Sequence, residues 1–424
     1  MTIAKDGDTG RCFATLTLPL DGAADRARLA GRVRASPEAD ADVFLRVSYG
    51  HEVLAFTSAD AGGDAVRWTP FVLDAPLPPE ADSIRIGLAL FGPGPASYTD
   101  LTVETLDTRT FPDPSPEAEA YVEGVLDVLE ARSIRRDDLD WAALRRRVRA
   151  QTRGAESAAD AHLAVRYALR LLGDGHSSLV APDDAAAWRG DGETTTYDGP
   201  MPTAERLDGG LSRLVLPGLA SGDPAVLVAY ADSLRSGIER AGAAGVCGWI
   251  VDLRRNGGGN MWPMLAGLGP LLGEGRVGAF AYADRPPAYW MVSPSGAGTD
   301  GYEAVRVSGV HWRPLPSLPV AVLTSRRTAS SGEAVAVAFR GRPGARSFGE
   351  PTRGLSTSNE TVALDDGSLM LLTTAAFADR NGGVYGGAIT PDETVSTQTS
   401  GGDAALSAAR RWLRAQQACV PEGP

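Results

Sequence analysis

The chain reads as two architectures in series: an N-terminal all-β sandwich, then an α/β domain with a helical subdomain ahead of it. Three observations predict this. Period-two alternation of apolar and polar residues runs through roughly the first hundred positions. A Pro-rich break, FPDPSP, follows at Phe111–Pro116. Beyond it, apolar stripes at helical spacing alternate with short, wholly apolar runs, the pattern of buried strands between helices. At about 150 residues per domain, 424 residues suggest two or three domains. The boundaries read as a sandwich over 1–110, a linker over 111–116, a helical subdomain over 117–176 and an α/β core over 177–424.

Each part has its own signature. In the sandwich, Val43, Leu45, Val47 and Tyr49 alternate with Phe44, Arg46 and Ser48, and Ile84, Ile86, Leu88 and Leu90 repeat the pattern. Gly/Pro/Asp clusters such as DAPLPPEAD and FGPGPAS separate the runs. Residues 67–106 resemble the last strands of carbohydrate-binding-module-like jelly rolls, a likeness of fold more than of site. Pro116 opens a helix with Val122, Val125, Leu126 and Leu129 on one stripe. Further helices are expected over 138–149, 157–172, 222–243 and 404–417. CGWIVDL (Cys247–Leu253) is a buried strand, and strands alternate with helices from there to about 395.

Composition narrows the function. The formal charge of −12 is a poor match for a nucleic-acid backbone. Lys5 is the single lysine, in a polar N-terminal arm, and arginine stays protonated at ordinary pH, so neither offers the core a general base. His51, His162, His176 and His311 form no close pair, and no Cys/His cluster has zinc-ligand spacing, so neither metal nor cofactor is expected. Cys12, Cys247 and Cys419 are scattered and odd in number, which argues against a disulfide framework. The opening MTIAKDGDTG lacks a signal-peptide core, and no run approaches the ~18 apolar residues of a membrane helix. The expectation is a soluble cytoplasmic protein with no membrane or nucleic-acid partner; its oligomeric state is not legible.

Three segments carry chemistry: Gly173-Asp174-Gly175-His176-Ser177; Val251-Asp252-Leu253-Arg254-Arg255-Asn256-Gly257-Gly258-Gly259-Asn260; and Thr328-Ala329-Ser330-Ser331-Gly332-Glu333, followed by Gly349-Glu350-Pro351-Thr352-Arg353-Gly354. Alone, each has a plain reading: a Gly turn around a histidine, a tight loop, a helix capping box at Ser330-x-x-Glu333. Together they read differently. Ser330 follows the apolar run Val320–Leu323 and precedes a helical stretch, a strand–turn–helix junction that points a hydroxyl into a cleft. A Gly-rich turn after a strand offers backbone N–H groups with no Cβ in the way, as an oxyanion hole requires. Serine needs an adjacent base, and His176 is the best one available.

At this point the chain resembles the S41 peptidases, the family of the tail-specific, C-terminal-processing proteases and the tricorn core protease. The resemblance spans roughly 117–395 through LLGDGHSSLVAP, GWIVDLRRNGGG, MWPMLAGLGPLLGEG, TASSGEAVA, GEPTRG and ITPD. It implies a ClpP/crotonase-like core in which Ser330 is the nucleophile and Ser331 gives one oxyanion N–H. Gly258 or Gly259 gives the other. The lysine-dependent branch has a lysine in the segment matching GEPTRGLS, where this chain has Arg353 and Leu355. The match is therefore to the histidine-dependent branch, with His176 as base. That branch places a serine just before the histidine, where Gly175 stands here, and uses a downstream carboxylate. Asp379 is the choice for it, with Glu350 and Asp392 as competitors. No PDZ-like module fits between His176 and Gly245, since the core uses much of that stretch.

The implied function is a serine-type peptidase acting on a peptide or peptide-like substrate through an acyl-enzyme on Ser330. Met261, Trp262 and Met264 line the substrate or belong to the core. Two alternatives stay open: an acyl-enzyme cyclase, acyltransferase or amide hydrolase of a biosynthetic pathway, and a catalytically retired ligand-binding module.

Overall fold

The computed structural model describes all residues except 1, 6–11, 21, 23, 61–63, 93, 190–196, 244, 309–317, 397–401 and 420–424; His311 falls outside the described residues. The chain divides into two compact units, Met1–Asp174 with Leu364–Asp366, and Gly175–Ala363 with Gly367–Pro424.

The first unit opens with eight strands: β1 (Thr2–Lys5), β2 (Cys12–Pro19), β3 (Arg26–Ala35), β4 (Ala41–Tyr49), β5 (Glu52–Asp60), β6 (Asp64–Pro76), β7 (Ser83–Leu90) and β8 (Gly94–Leu106). They form two four-stranded sheets, in the orders β1-β8-β3-β6 and β2-β7-β4-β5. Every pairing is antiparallel. Leu29, Val43, Leu45, Val47, Ile84 and Leu88 bury the inner faces. Tyr49 leaves the stripe predicted for it. It is the last residue of β4, beyond a register irregularity where β5 carries one extra residue, Leu54, and it is 58% exposed.

Three helices follow: α1 (Pro116–Arg132), α2 (Trp141–Thr152) and α3 (His162–Leu171). Ser115 Oγ accepts the Ala118 N–H at 3.1 Å and Asp140 Oδ1 accepts the Ala143 N–H at 2.9 Å, so both starts are side-chain caps. The helix expected from Ser157 begins later because Asp160 ties that segment into a turn, accepting from the Ser157 N–H and hydroxyl. These helices group with the sandwich rather than with the core, which differs from the predicted boundaries. Arg26 Nη2 donates to the Gln151 carbonyl at 2.6 Å, Gln151 Nε2 donates to the Asp25 carbonyl at 2.8 Å, and Arg153 donates to the carbonyls of Thr108 and Phe111. The predicted linker is accordingly held down, with the Gly154 N–H on the Pro112 carbonyl.

The second unit contains β9 (Ser178–Val180), α4 (Pro182–Arg189), β10 (Thr203–Leu207), β11 (Leu211–Val215), α5 (Pro224–Gly242), β12 (Gly248–Asp252), α6 (Met261–Leu272), β13 (Gly275–Tyr282), β14 (Ala288–Ser293), β15 (Gly296–Thr299) and β16 (Tyr302–Arg306). It continues with β17 (Val320–Thr324), α7 (Ser331–Phe339), β18 (Ala345–Gly349), β19 (Thr357–Ala363), β20 (Leu369–Asp379), β21 (Glu393–Thr394) and α8 (Ala404–Arg414). One sheet runs β10-β11-β12-β17-β18-β21, parallel from β11 onward. Its central strands β12 and β17 are buried on both faces, hence their largely apolar character. Trp249, Val251, Val320 and Val322 pack with α5, α6 and α7 in the main core, whereas Ile250, Ala321, Leu323 and Phe348 face α8.

The other sheet, β16-β15-β14-β13-β20-β19 with β9 on β20, is antiparallel. Residues 275–306 are therefore a meander and not the strand–helix alternation expected, since their short connections have no room for crossover helices. A second correction concerns cysteine. Cys247, just before β12, is disulfide-bonded to Cys419 after α8, with Cα atoms 4.9 Å apart across 172 residues of sequence. Distance along the chain hid a pair that the fold brings together; Cys12 is free.

Candidate active site

The turn from β17 into α7 is built by side chains that fasten it to the turn after β12. Thr328 Oγ1 accepts the Ser325 N–H and donates to the Leu253 carbonyl at 2.9 Å, and the Ala329 N–H donates to the Asn256 carbonyl at 3.0 Å. Ser330 then takes φ 50° and ψ −117°, left-handed space that disfavours a side chain. Such strain persists where surrounding bonds over-determine it, and Glu333 supplies them. Glu333 Oε2 accepts from the N–H groups of Ser330 and Leu355, both at 2.8 Å. Its Oε1 accepts from the Gly354 N–H and the Thr352 hydroxyl. The carboxylate is fully buried. Burial pushes its pKa up, against the pull of the Thr352 hydroxyl and the three backbone donors. The predicted capping box is thus present, and its Glu half also recruits a distant loop.

The Gly-rich turn lies directly against the serine. A Cβ on Gly258, at φ 113°, would meet Ser330 Cβ at 2.8 Å, so only glycine lets the two backbones approach this closely. Asn256, wholly buried, shapes the turn: its Oδ1 accepts the Gly258 N–H at 3.0 Å. Among the described residues no hydrogen bond engages the N–H of Gly259 or of Ser331, while the Ser331 hydroxyl donates to the Gly259 carbonyl at 2.5 Å. The structure therefore gathers Ser330, Ser331, Gly258 and Gly259 in one place.

His176 sits after two left-handed glycines, Gly173 and Gly175, on a turn that leads into β9. Its Nδ1 lies 2.7 Å from Thr357 Oγ1, and its carbonyl accepts from Asn359 Nδ2 at 3.0 Å. Ser177 Oγ accepts the Thr373 N–H, and Thr373 Oγ1 donates to Asn359 Oδ1, tying the turn to β19 and β20. When the Thr357 hydroxyl accepts the Nδ1 proton, Nε2 is the basic nitrogen. One short segment touches both turns. Leu355 shares the Glu333 carboxylate with Ser330, and two residues on, about 7 Å of extended chain, Thr357 meets His176.

The carboxylates proposed to orient His176 are elsewhere. Asp379 closes its own turn, accepting from the N–H groups of Asn381 and Gly383 and from the Tyr385 hydroxyl. Asp392 accepts from Ser347 and pairs with Arg340. Glu350 lines a cavity of arginines at the end of β18. None of the three touches His176 among the described residues. Met264 is wholly buried and Met261 nearly so, and Trp262 packs edge-on against Phe280, so these three belong to the core. Reading the sequence missed Asn256, Thr352 and Thr357, and saw Glu333 only as a cap. Asn256 carries the one local signal, an Asx turn before glycines; the others depend on contacts made far along the chain.

Residues 224–395 match the model of peptidase family S41. The nisin-resistance protein of Lactococcus lactis subsp. lactis is 29% identical over 303 residues, covering 71% of this chain and 88% of its own. A lipoprotein from Streptococcus agalactiae superposes with a TM-score of 0.57 at 27% identity, over 70% of this chain and 96% of that one. A Parabacteroides merdae protein described as a candidate peptidase superposes at 0.50 and 19% identity over 73% and 100% of the two chains, a likeness of fold alone. Residues 224–395, which carry the glycine and serine turns and the strands that hold them, are similar to peptidase family S41.

Proposed function

We propose that the protein is a serine-type peptidase in which Ser330 is the nucleophile and His176 the general base. The observation that carries this is the segment Thr352–Thr357, whose bonds to Glu333 and to His176 join the serine turn to the histidine turn. Ser330 Oγ attacks the scissile carbonyl carbon as its proton passes to His176 Nε2. The C–N bond then breaks, and the amine leaves with that proton. Water, deprotonated by the same histidine, releases the acid from the Ser330 ester. The N–H groups of Gly259 and Ser331 hold the oxyanion, helped by the positive end of α7. Thr357 takes the place expected for a carboxylate and fixes the imidazole tautomer. No step calls for a metal or organic cofactor.

A peptide substrate of basic character suits a chain of net charge −12. The name of the Lactococcus relative makes nisin the first peptide to test. The Cys247–Cys419 disulfide supports action in an oxidising compartment, in place of the cytoplasm first expected. The test is mass spectrometry of nisin and a panel of basic peptides incubated with the protein in H₂¹⁸O. Fragments whose new C-termini carry ¹⁸O, absent with Ser330→Ala, establish hydrolysis. Products joined to an amine with no ¹⁸O would establish acyl transfer instead. Intact peptides throughout would favour a binding module.

A further inference from the structure

We infer that the second unit carries an oxyanion site apart from the Ser330 turn, in a cavity of about 480 Å³ at the C-terminal edge of the parallel sheet. Five arginines line it, Arg213, Arg254, Arg255, Arg326 and Arg327, on a chain whose net charge is −12. Side-chain parity places the cavity. Ile250 faces α8, so Asp252 does too, and the register Arg213↔Ile250 and Val215↔Asp252 puts those lining residues on the same face. Ser325 and Glu350 continue it from Leu323 and Phe348. Ser330 instead opens α7, which packs on the opposite face with Trp249 and Val251. The carboxyl ends of parallel strands are where open α/β sheets commonly bind ligands.

The arginines fall into two sets. Arg213 and Arg254 are held in place: both donate to Asp252, which is only 3% exposed, and Arg254 also donates to Asp403 at the start of α8. They form a fixed floor. Arg255, Arg326 and Arg327 are exposed, and among the described residues their side chains make no ion pair or hydrogen bond. Glu350 likewise has no ion pair there. Three unpaired guanidinium groups against one carboxylate leave two positive charges, which suits a multiply charged oxyanion better than a single carboxylate. Guanidinium forks fit phosphoryl oxygens two at a time and keep their charge at any ordinary pH. The ligand class is therefore a small phosphate-type anion of diphosphate size.

Isothermal titration of the full chain with sodium pyrophosphate at low ionic strength tests this, with citrate and acetate as parallel titrants. The expected result is one saturable site per chain, with acetate and citrate much weaker. The double variant Arg326→Ala/Arg327→Ala weakens binding about tenfold or more. Glu350→Gln tightens it by removing the opposing charge, and Ser330→Ala leaves it unchanged. Thermal melts confirm that the variants are folded. No saturable heat at millimolar pyrophosphate, or binding indifferent to the double variant, overturns the site. Citrate binding as tightly as pyrophosphate overturns the phosphate class. Loss of binding in Ser330→Ala would place the anion at the serine turn and overturn the separation of the two sites.

Discussion

Replacing Gly258 by alanine tests how closely the Gly-rich turn serves the serine. The new Cβ would stand 2.8 Å from Ser330 Cβ and 3.2 Å from the Ala329 carbonyl oxygen, while ordinary contact begins at 3.4 Å. Either the serine or the turn must give by about 0.6 Å, in the place where a nucleophile must be accurately set. A displacement approaching 1 Å at such a centre costs on the order of 10²-fold in rate. The left-handed φ of 113° adds about 1–2 kcal/mol of backbone strain. Gly257→Ala is the matched control, because a Cβ there meets nothing within 4 Å. The assay is the rate of labelling by a fluorophosphonate, with a thermal melt for each variant. Gly258→Ala should label roughly ten- to a hundredfold more slowly and melt a few degrees lower, and Gly257→Ala should match the parent. Equal labelling in Gly258→Ala and parent, both folded, would refute the placement of this turn beside the reacting serine.

Three further outcomes are expected. Thr357→Val, which removes the oxygen at His176 Nδ1, should slow labelling by one to two orders of magnitude on the scale of a lost orienting bond, whereas Asp379→Asn should lower the melting temperature and leave the labelling rate near that of the parent. Burial alone would raise the Asp252 carboxyl, but its bonds to Arg254 and Arg213 outweigh that and hold it below its ordinary 3.8. Its contribution is therefore full above that value and is lost as pH falls through the lower folded value. Acid melts of the parent should decline below about pH 4 more steeply than those of Asp252→Asn, which at neutral pH should be less stable by about 1–3 kcal/mol, because two half-buried arginines lose the carboxylate they share while Arg213 keeps Glu205 and Arg254 keeps Asp403. Thiol titration of the unfolded, unreduced chain should count one cysteine, Cys12, and three after reduction; closing so long a loop stabilises by about 4–5 kcal/mol, so Cys247→Ser should lower stability by that order.

What could be read from the sequence was what local chemistry decides. The alternation around Val43–Val47, the apolar run before Asp252 and the strand–turn–helix at Ser330 are patterns within a dozen residues, and each forms the element expected. The serine and glycine turns were legible for the same reason. The partner of His176 was not, because Thr357 lies 181 positions away and nothing near either residue marks the pairing. A hydroxyl on β19, not one of the three carboxylates, stands at His176 Nδ1. Cys247 and Cys419 were misjudged likewise, their proximity being set by α8 folding back onto β12. The grouping of the helices after FPDPSP with the sandwich was not legible either, because the bonds of Arg26 and Gln151 that join them span more than a hundred positions.

The central claim is that Ser330, activated by His176, forms the covalent bond. Fluorophosphonate labelling followed by peptide mapping in the mass spectrometer tests it most directly. The adduct should lie on Ser330, disappear in Ser330→Ala, form orders of magnitude more slowly in His176→Ala, and persist in Ser331→Ala, which keeps its backbone N–H. An adduct on Ser331, or undiminished labelling of folded His176→Ala, would contradict the account.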